Sequence, residues 1–426
     1  RWGGNSARSG RAMWRPNNPL MQRDGAGDSR EEALTYLEET IGDAGPPTSR
    51  ERKEAFVDGV APFIALAEKL GMRFARAADY PDYYPEKPGG KIGRAIEPVP
   101  FDVKRIAEWW KSSRGRDSVP LPVMTDDFWL LQRAWSTPDG FVRGAQVVGR
   151  VAGSLLRGKR SVGMGAALVA TFMDVALRQG TDIWLSAPVE ELIVEDGRVV
   201  GVRTTKDGTS VAVRAEKGVV LGSGGFDRNA ELRQRHQGVD GADSSGADSN
   251  LGSAIAATQD IGAAVDLMDD AWWGASVPNA MAGGGAAFLV SERAMPYSII
   301  VDAAGERFAN EAESYVDLGH HMLEHRKTVP GKFWMVTDVR HARRYMRAYA
   351  LDPRAVKSMT EAGIMAKAAT LAELAGKIGV DAARLETTVE EFNRVARTGM
   401  DHEFQRGTSA YDRYYGDPQS RPNPNL

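Results

Sequence analysis

The stretch Gly3-Gly4-Asn5-Ser6-Ala7-Arg8-Ser9-Gly10-Arg11-Ala12-Met13-Trp14-Arg15-Pro16-Asn17-Asn18-Pro19 decides how the rest of the chain is read. Its opening packs three glycines among small hydroxyl and amide side chains. A turn of that composition can lay backbone N–H groups and Ser or Asn oxygens against phosphate, ribityl or flavin heteroatoms. Taken alone it is a glycine- and serine-rich loop, and the Trp-Arg-Pro-Asn-Asn-Pro run after it is what gives the turn a context.

Working outward, 426 residues leave room for two domains, or one large α/β domain with a smaller partner. With 54 Lys+Arg against 57 Asp+Glu, the net charge of -3 gives no basic footprint for nucleic acid or an anionic membrane. Small-molecule or protein partners are the expectation. Zero cysteines exclude a disulfide framework, a zinc ribbon, a ligated iron–sulfur cluster, a CxxC redox pair and a catalytic thiol. Redox chemistry must then come from a bound organic cofactor or a non-cysteine metal site. There is no 18-residue apolar run to span a membrane and no visible signal peptide, so a cytoplasmic location is expected.

Helices are marked by caps and periodicity. Ser29-Arg30-Glu31-Glu32 is a capping-box pattern leading into Leu34, Leu37 and Ile41 on one face. A second helix is predicted from Ser49 to Leu70, with Phe56, Val60, Phe63, Ala67 and Leu70 in register and Gly71 as its stop. Others run from Leu168 to Leu177, from the box Thr370-Leu371-Ala372-Glu373, and along Leu385, Val389, Phe392 and Ala396 before Gly399. Between Ile183 and Leu221 the pattern turns to strands, with hairpin signals at Asp196-Gly197 and Lys206-Asp207-Gly208. This predicts an antiparallel meander, then a short buried strand from Gly218 into the turn Gly222-Ser223-Gly224-Gly225-Phe226. Composition shifts near Ala271, with Trp272-Trp273 and the loose glycines Gly283-Gly284-Gly285, before a strand from Ser298 to Asp302 turning at Gly305. A domain boundary is placed there, and Pro418 to Leu426 reads as a loop leading onward.

The dinucleotide fingerprint G-x-G-x-x-G after a strand is absent, as are a P-loop, an HExxH motif and a GxSxG elbow. Gly163-Met164-Gly165 reads as entry into a helix.

The opening turn resembles the flavin-binding turn of the 3-ketosteroid Δ1-dehydrogenase family, among the fumarate reductase-like FAD flavoproteins. The likeness continues in order through Pro81-Asp82-Tyr83-Tyr84, Gly93-Arg94 with Pro98, Gly222 to Phe226, Gly305-Glu306-Arg307-Phe308-Ala309-Asn310-Glu311, and Thr388-Val389-Glu390-Glu391-Phe392-Asn393 with Gly399. Asn5 stands where the family has Thr, and Asn250-Leu251-Gly252-Ser253 where it has Asn-Thr-Gly-Asp. The resemblance implies an α/β fold: an FAD-binding domain of glutathione reductase type over residues 1–270, and an α+β substrate domain over 271–426. It implies that residue 1 falls after the nucleotide-binding strand and glycine loop, and that Leu426 falls before the chain returns to that domain. Cofactor contacts are implied for Gly3, Gly4, Asn5, Ser6, Ser9, Gly10, Val189, Gly224 and Gly225. Tyr83 matches an active-site tyrosine and Tyr315 the proposed general base.

The implied reaction puts a C=C bond next to the ketone of a steroid-like substrate: a base removes the α proton, a hydride leaves the β carbon for flavin, and an external acceptor takes the electrons. A free tyrosine with a pKa of about 10 is a poor base at pH 7, and closing that gap takes about 4 kcal/mol. One tyrosine hydrogen-bonded to another supplies part of it. Without the resemblance, Tyr83 and Tyr315 read as packing residues with polar tips. Arg307 and Glu311 are spaced for a surface pair or for a place beside the flavin. His321 and His325 share a helical face at metal-ligand spacing without a third ligand, and read as a solvated face. Trp109-Trp110 and Trp272-Trp273 read as core or as the wall of a sterol-sized pocket. Two alternatives accompany this reading. One is a fumarate reductase-like flavoprotein acting on a small dicarboxylate, whose site would gather arginines; the other is a non-catalytic remnant that holds no flavin.

Overall fold

The computed structural model describes the chain apart from residues 11, 118–119, 240–243, 279–285 and 348–351. The Gly283 to Gly285 stretch therefore lies outside the described residues.

Where a cap was read in the sequence, a helix begins. Ser29 Oγ accepts the Glu32 N–H at 3.1 Å and the helix Arg30–Ile41 follows. Thr370 caps Leu371–Ile378 through Glu373 N at 3.2 Å, and Ala382–Thr398 ends at Gly399 with φ +93°. Gly163 is the N-cap of Met164–Arg178, so the Gly-Met-Gly run is a helix entry. The helix predicted over 49–70 is instead two, Arg50–Asp58 and Val60–Lys69. Pro62 has no N–H to give the Asp58 carbonyl, and Gly59 stands between the two as the C-cap of the first and the N-cap of the second.

The meander is a three-stranded antiparallel sheet of Val189–Glu195, Arg198–Lys206 and Thr209–Arg214. Asp196, Gly197, Asp207 and Gly208 all have positive φ, the backbone of the two-residue turns their sequence announced. The run after it differs from expectation. Residues 218–225 form no strand, and Val220 is 96% exposed. Among the described residues no strand lies alongside to share a ladder, and an apolar run without a partner stays outside any sheet. A second small sheet places Ala95–Pro98 between Met13–Trp14 and Phe74–Arg76. It ties the end of the opening stretch to the two strands that bracket the Pro81 to Tyr84 loop. Ser298–Val301 pairs with Trp334–Thr337.

The fold is thus mixed helix and sheet, and every strand ladder among the described residues is antiparallel. One buried cluster draws on distant parts of the chain: Ala77, Tyr80 and Ala95 pack with Ala294, Ala312, Tyr411, Tyr414 and Tyr415. Trp110 is core, packed with Phe101, Val103 and Met173, whereas Trp272 is exposed.

Candidate active site

Gly3 adopts φ +104°, and Ala7 N donates to Gly3 O at 2.9 Å while Ser9 N donates to Asn5 O at 3.0 Å, closing a tight turn. The Met164–Arg178 helix presses on it from behind: a Cβ on Gly165 would lie 2.3 Å from the carbonyl oxygens of Ser6 and Ser9. Asn5 Oδ1 accepts the Ala247 N–H at 2.6 Å and Arg8 reaches Gly246 O at 2.9 Å. The second turn abuts the same loop, since Gly252 N donates to Gly225 O at 3.1 Å and a Cβ on Gly224 would sit 2.7 Å from Asn250 Oδ1. Two glycine turns 220 residues apart in sequence therefore border one loop, residues 244–252. Val189 is exposed at the start of its strand, against which the Ser253–Gln259 helix packs.

The donor set fits an elongated phosphate- and hydroxyl-bearing cofactor. Ser6, Ser9 and Gly10 are exposed, and Gly4, Gly222 and Gly225 have open space where a Cβ would project, so the backbone can be approached closely. Asp227, the carboxylate beside the second turn, is held by Asn250 Nδ2 at 2.6 Å and by the Ser244 hydroxyl.

Tyr83 and Tyr315, 232 positions apart, meet with their hydroxyl oxygens 2.9 Å apart. Their rings cross edge to face at 5.2 Å, and Phe288 and Tyr411 pack edge to face on Tyr315 and Tyr83 in turn. Tyr315 is buried at the first turn of the Tyr315–Thr328 helix, and Tyr83 is half-buried in its loop. Beside them, Tyr84 donates its hydroxyl to Asp317 Oδ1 at 2.9 Å. Burial, with Asp317 nearby, pushes the Tyr84 hydroxyl up to about 12. Tyr84 therefore stays a donor at neutral pH.

The Tyr83 loop is pinned by a buried ionic network that sequence reading missed. Asp82 accepts from Trp14 Nε1 at 2.7 Å, Arg94 Nη1 at 2.9 Å and the Lys91 backbone N–H at 2.9 Å. Arg94 forks onto Asp28 with two bonds of 2.8 Å. Burial opposes charge on Arg94, yet Asp28 and Asp82 hold it protonated. Arg94 O also accepts from Arg15 N and Asn18 Nδ2, so the opening stretch is tied to Arg94 through its main-chain carbonyl and the Tyr83 loop through its guanidinium. The available signal was the pairing of Arg94 and Asp82 within two motif segments.

Arg307 and Glu311 form no surface pair. Both side chains are buried, bonded at 2.7 and 2.8 Å, with Arg307 also on Asp401 at 2.9 Å and Arg406 on Glu311 at 3.1 Å. Burial opposes the Glu311 charge, but the two guanidiniums prevail and its carboxyl falls to about 2. His321 and His325 each face a different carboxylate, Glu313 at 2.7 Å and Asp302 at 2.9 Å. Glu97 is buried beneath a cleft of about 720 Å³ lined also by Arg76, Arg143 and Arg150. Its Oε1 accepts from Thr125 N at 2.7 Å, its Oε2 has no hydrogen-bond partner among the described residues, and burial pushes the carboxyl up to about 7.

Comparison with known proteins bears on this geometry. The family described as an FAD binding domain matches residues 1–425. A 3-oxosteroid 1-dehydrogenase of Mycolicibacterium smegmatis is 39% identical across 100% of this chain and 77% of its own length. One from Mycobacterium tuberculosis is 39% identical over 100% and 78%. The crystal structure of a 3-ketosteroid delta1-dehydrogenase from Sterolibacterium denitrificans, in complex with 1,4-androstadiene-3,17-dione, superposes with a TM-score of 0.89 at 32% identity, covering 100% of this chain and 79% of that one.

Proposed function

The chain belongs to the 3-oxosteroid 1-dehydrogenase family of FAD-binding flavoproteins, and on that premise we propose that it is an FAD-dependent enzyme introducing a C=C bond next to the ketone of a 3-ketosteroid. The observation that carries the mechanism is the Tyr83–Tyr315 hydroxyl contact of 2.9 Å. Tyr315 takes the proton α to the ketone, and Tyr83 donates its hydrogen bond to the phenolate oxygen as it develops. Phe288 and Tyr411 hold both rings edge-on, which fixes the hydroxyls for that transfer. When bound, FAD supplies the acceptor for the hydride from the β carbon. Gly3, Gly4, Asn5, Ser6, Ser9 and Gly10 in the first turn, with Gly224, Gly225 and Val189 across the loop, are the residues proposed to hold it. The division at residues 270 and 271, with a glutathione reductase-type first part, belongs to the same reading: the flavin turns and Tyr83 come from one side and Tyr315 from the other. An external acceptor reoxidises the enzyme, and the location is cytoplasmic.

The purified protein is expected to show flavin absorbance near the visible maximum of bound FAD, bleached by a 3-ketosteroid under anaerobic conditions. Tyr315→Phe should retain the flavin spectrum and lose bleaching by 10²–10⁴-fold in rate, on the order of a general base's contribution. Unchanged reduction kinetics in the Phe variant would remove Tyr315 from the base role.

A further inference from the structure

The residue after Tyr83 and the residue two after Tyr315 also meet. Tyr84 Oη donates to Asp317 Oδ1 at 2.9 Å across 233 positions, beside the Tyr83–Tyr315 contact across 232. An acid in the first turn of a helix is commonplace, because the N-terminal N–H groups favour negative charge. That preference does not supply a partner from the same loop that carries Tyr83.

Each side of this second contact is fixed to its own surroundings. Tyr84 N donates to Tyr36 Oη at 3.2 Å, Lys87 N donates to Tyr84 O at 3.1 Å, and Pro85 narrows the backbone freedom of Tyr84. The Tyr315–Thr328 helix is seated at Gly319, where a Cβ would lie 2.3 Å from Trp273 Cβ. The aromatic cluster around Tyr80 and Ala312 brings loop and helix together, but apolar packing is non-directional and leaves their register to a directional bond. The Tyr83–Tyr315 bond does not serve, since proton transfer turns it from hydroxyl–hydroxyl into hydroxyl–phenolate and changes its preferred length. Tyr84–Asp317 keeps its character throughout. The Tyr84 hydroxyl, pushed up to about 12, remains protonated, and a hydroxyl on a carboxylate makes a bond roughly twice as strong as one between neutral groups.

We propose that Tyr84 and Asp317 are a positioning pair for the dehydrogenation: their bond sets the register of the Tyr83 loop against the Tyr315 helix, and with it the distance over which Tyr83 assists the base. This role rests on Tyr315 being the base. Neither Tyr84 nor Asp317 touches the reacting atoms in it; both act through Tyr83.

The test combines anaerobic flavin reduction by a 3-ketosteroid with crystal structures of the variants. Tyr84→Phe keeps the ring and removes the bond, and Asp317→Ala removes it from the other end. Each should lower the limiting rate about tenfold, and by no more than Tyr83→Phe does, with the half-saturating steroid concentration within about twofold of the parent. Asp317→Asn, whose amide oxygen still accepts from Tyr84, should stay within about threefold of the parent rate. In a Tyr83→Phe background, Tyr84→Phe should cost less than about a further twofold, because no hydroxyl is left to position. In the crystal structure of Tyr84→Phe the Tyr83 and Tyr315 hydroxyls should stand more than about 3.5 Å apart. Parent-like rates in both Tyr84→Phe and Asp317→Ala overturn the proposal, as does an equal loss with and without the Tyr83 hydroxyl. So do hydroxyls that keep their parental separation in the variant. A parent protein that the steroid does not bleach sinks the dehydrogenase reading instead, and the hydroxyl separation in the variant still decides whether this pair sets the register.

Discussion

Asp82 is one peptide bond from Tyr83, and its two oxygens accept an indole, a guanidinium and a backbone N–H. Removing such a carboxylate leaves Arg94 paired with Asp28 alone and strips the Trp14 indole, the Lys91 N–H and Arg94 Nη1 of their acceptor in a buried site. Asp82→Ala is expected to destabilise the fold by about 3 kcal/mol in urea unfolding, and Asp82→Asn by less, since the amide still accepts from Trp14. Glu97 makes a different prediction. Its folded pKa of about 7 lies above the unfolded value, so it favours the fold below about pH 4.5, and that advantage is lost as pH rises through 7. The stability of Glu97→Gln minus that of the parent should therefore climb by about 1.4 kcal/mol per pH unit between pH 4.5 and 7, read from urea midpoints at several pH values. Neither residue was legible as a site from sequence. A carboxylate's partners and its burial are set by chain segments 9 to 68 positions away, and no local pattern encodes them.

At the scale of elements the sequence was most readable where the determinant is local. Ser29, Thr370 and the two Asp-Gly turns act within four residues of themselves, and the helices and hairpins they announce are there. Failure came where a partner decides. The apolar run at Gly218 lacks a neighbouring strand among the described residues, and the helix after Ser49 divides because one proline withholds one N–H. Gly165 shows the middle case: its place at a helix entry could be read, but its reason could not. Glycine is required because the carbonyls of Ser6 and Ser9 lie where a Cβ would be, one bonded to its own N–H at 2.9 Å. Gly165→Ala should push the opening turn off the helix, at about 1–3 kcal/mol of overpacking. The expected signature is a lowered ratio of visible to ultraviolet absorbance in the purified protein, with helical circular dichroism unchanged.

The whole molecule is needed to bring one pair of hydroxyls together. Pro81-Asp82-Tyr83-Tyr84 and Asn310 to Tyr315 could be picked out as motifs, but their meeting depends on the aromatic cluster that joins Tyr80 to Tyr411, Tyr414 and Tyr415. That cluster draws from both sides of residue 271, so repacking any of its rings shifts the two hydroxyls relative to each other. If Tyr315 is the base and Tyr83 acts only through the hydrogen bond to it, their losses cannot add. Tyr83→Phe should slow anaerobic flavin bleaching by a 3-ketosteroid, Tyr315→Phe should slow it more, and the double variant should match Tyr315→Phe to within about threefold. Additive losses in the double variant would mean that the two hydroxyls act on separate parts of the substrate. In that case the contact of 2.9 Å orients the pair and does not pass assistance from Tyr83 to Tyr315.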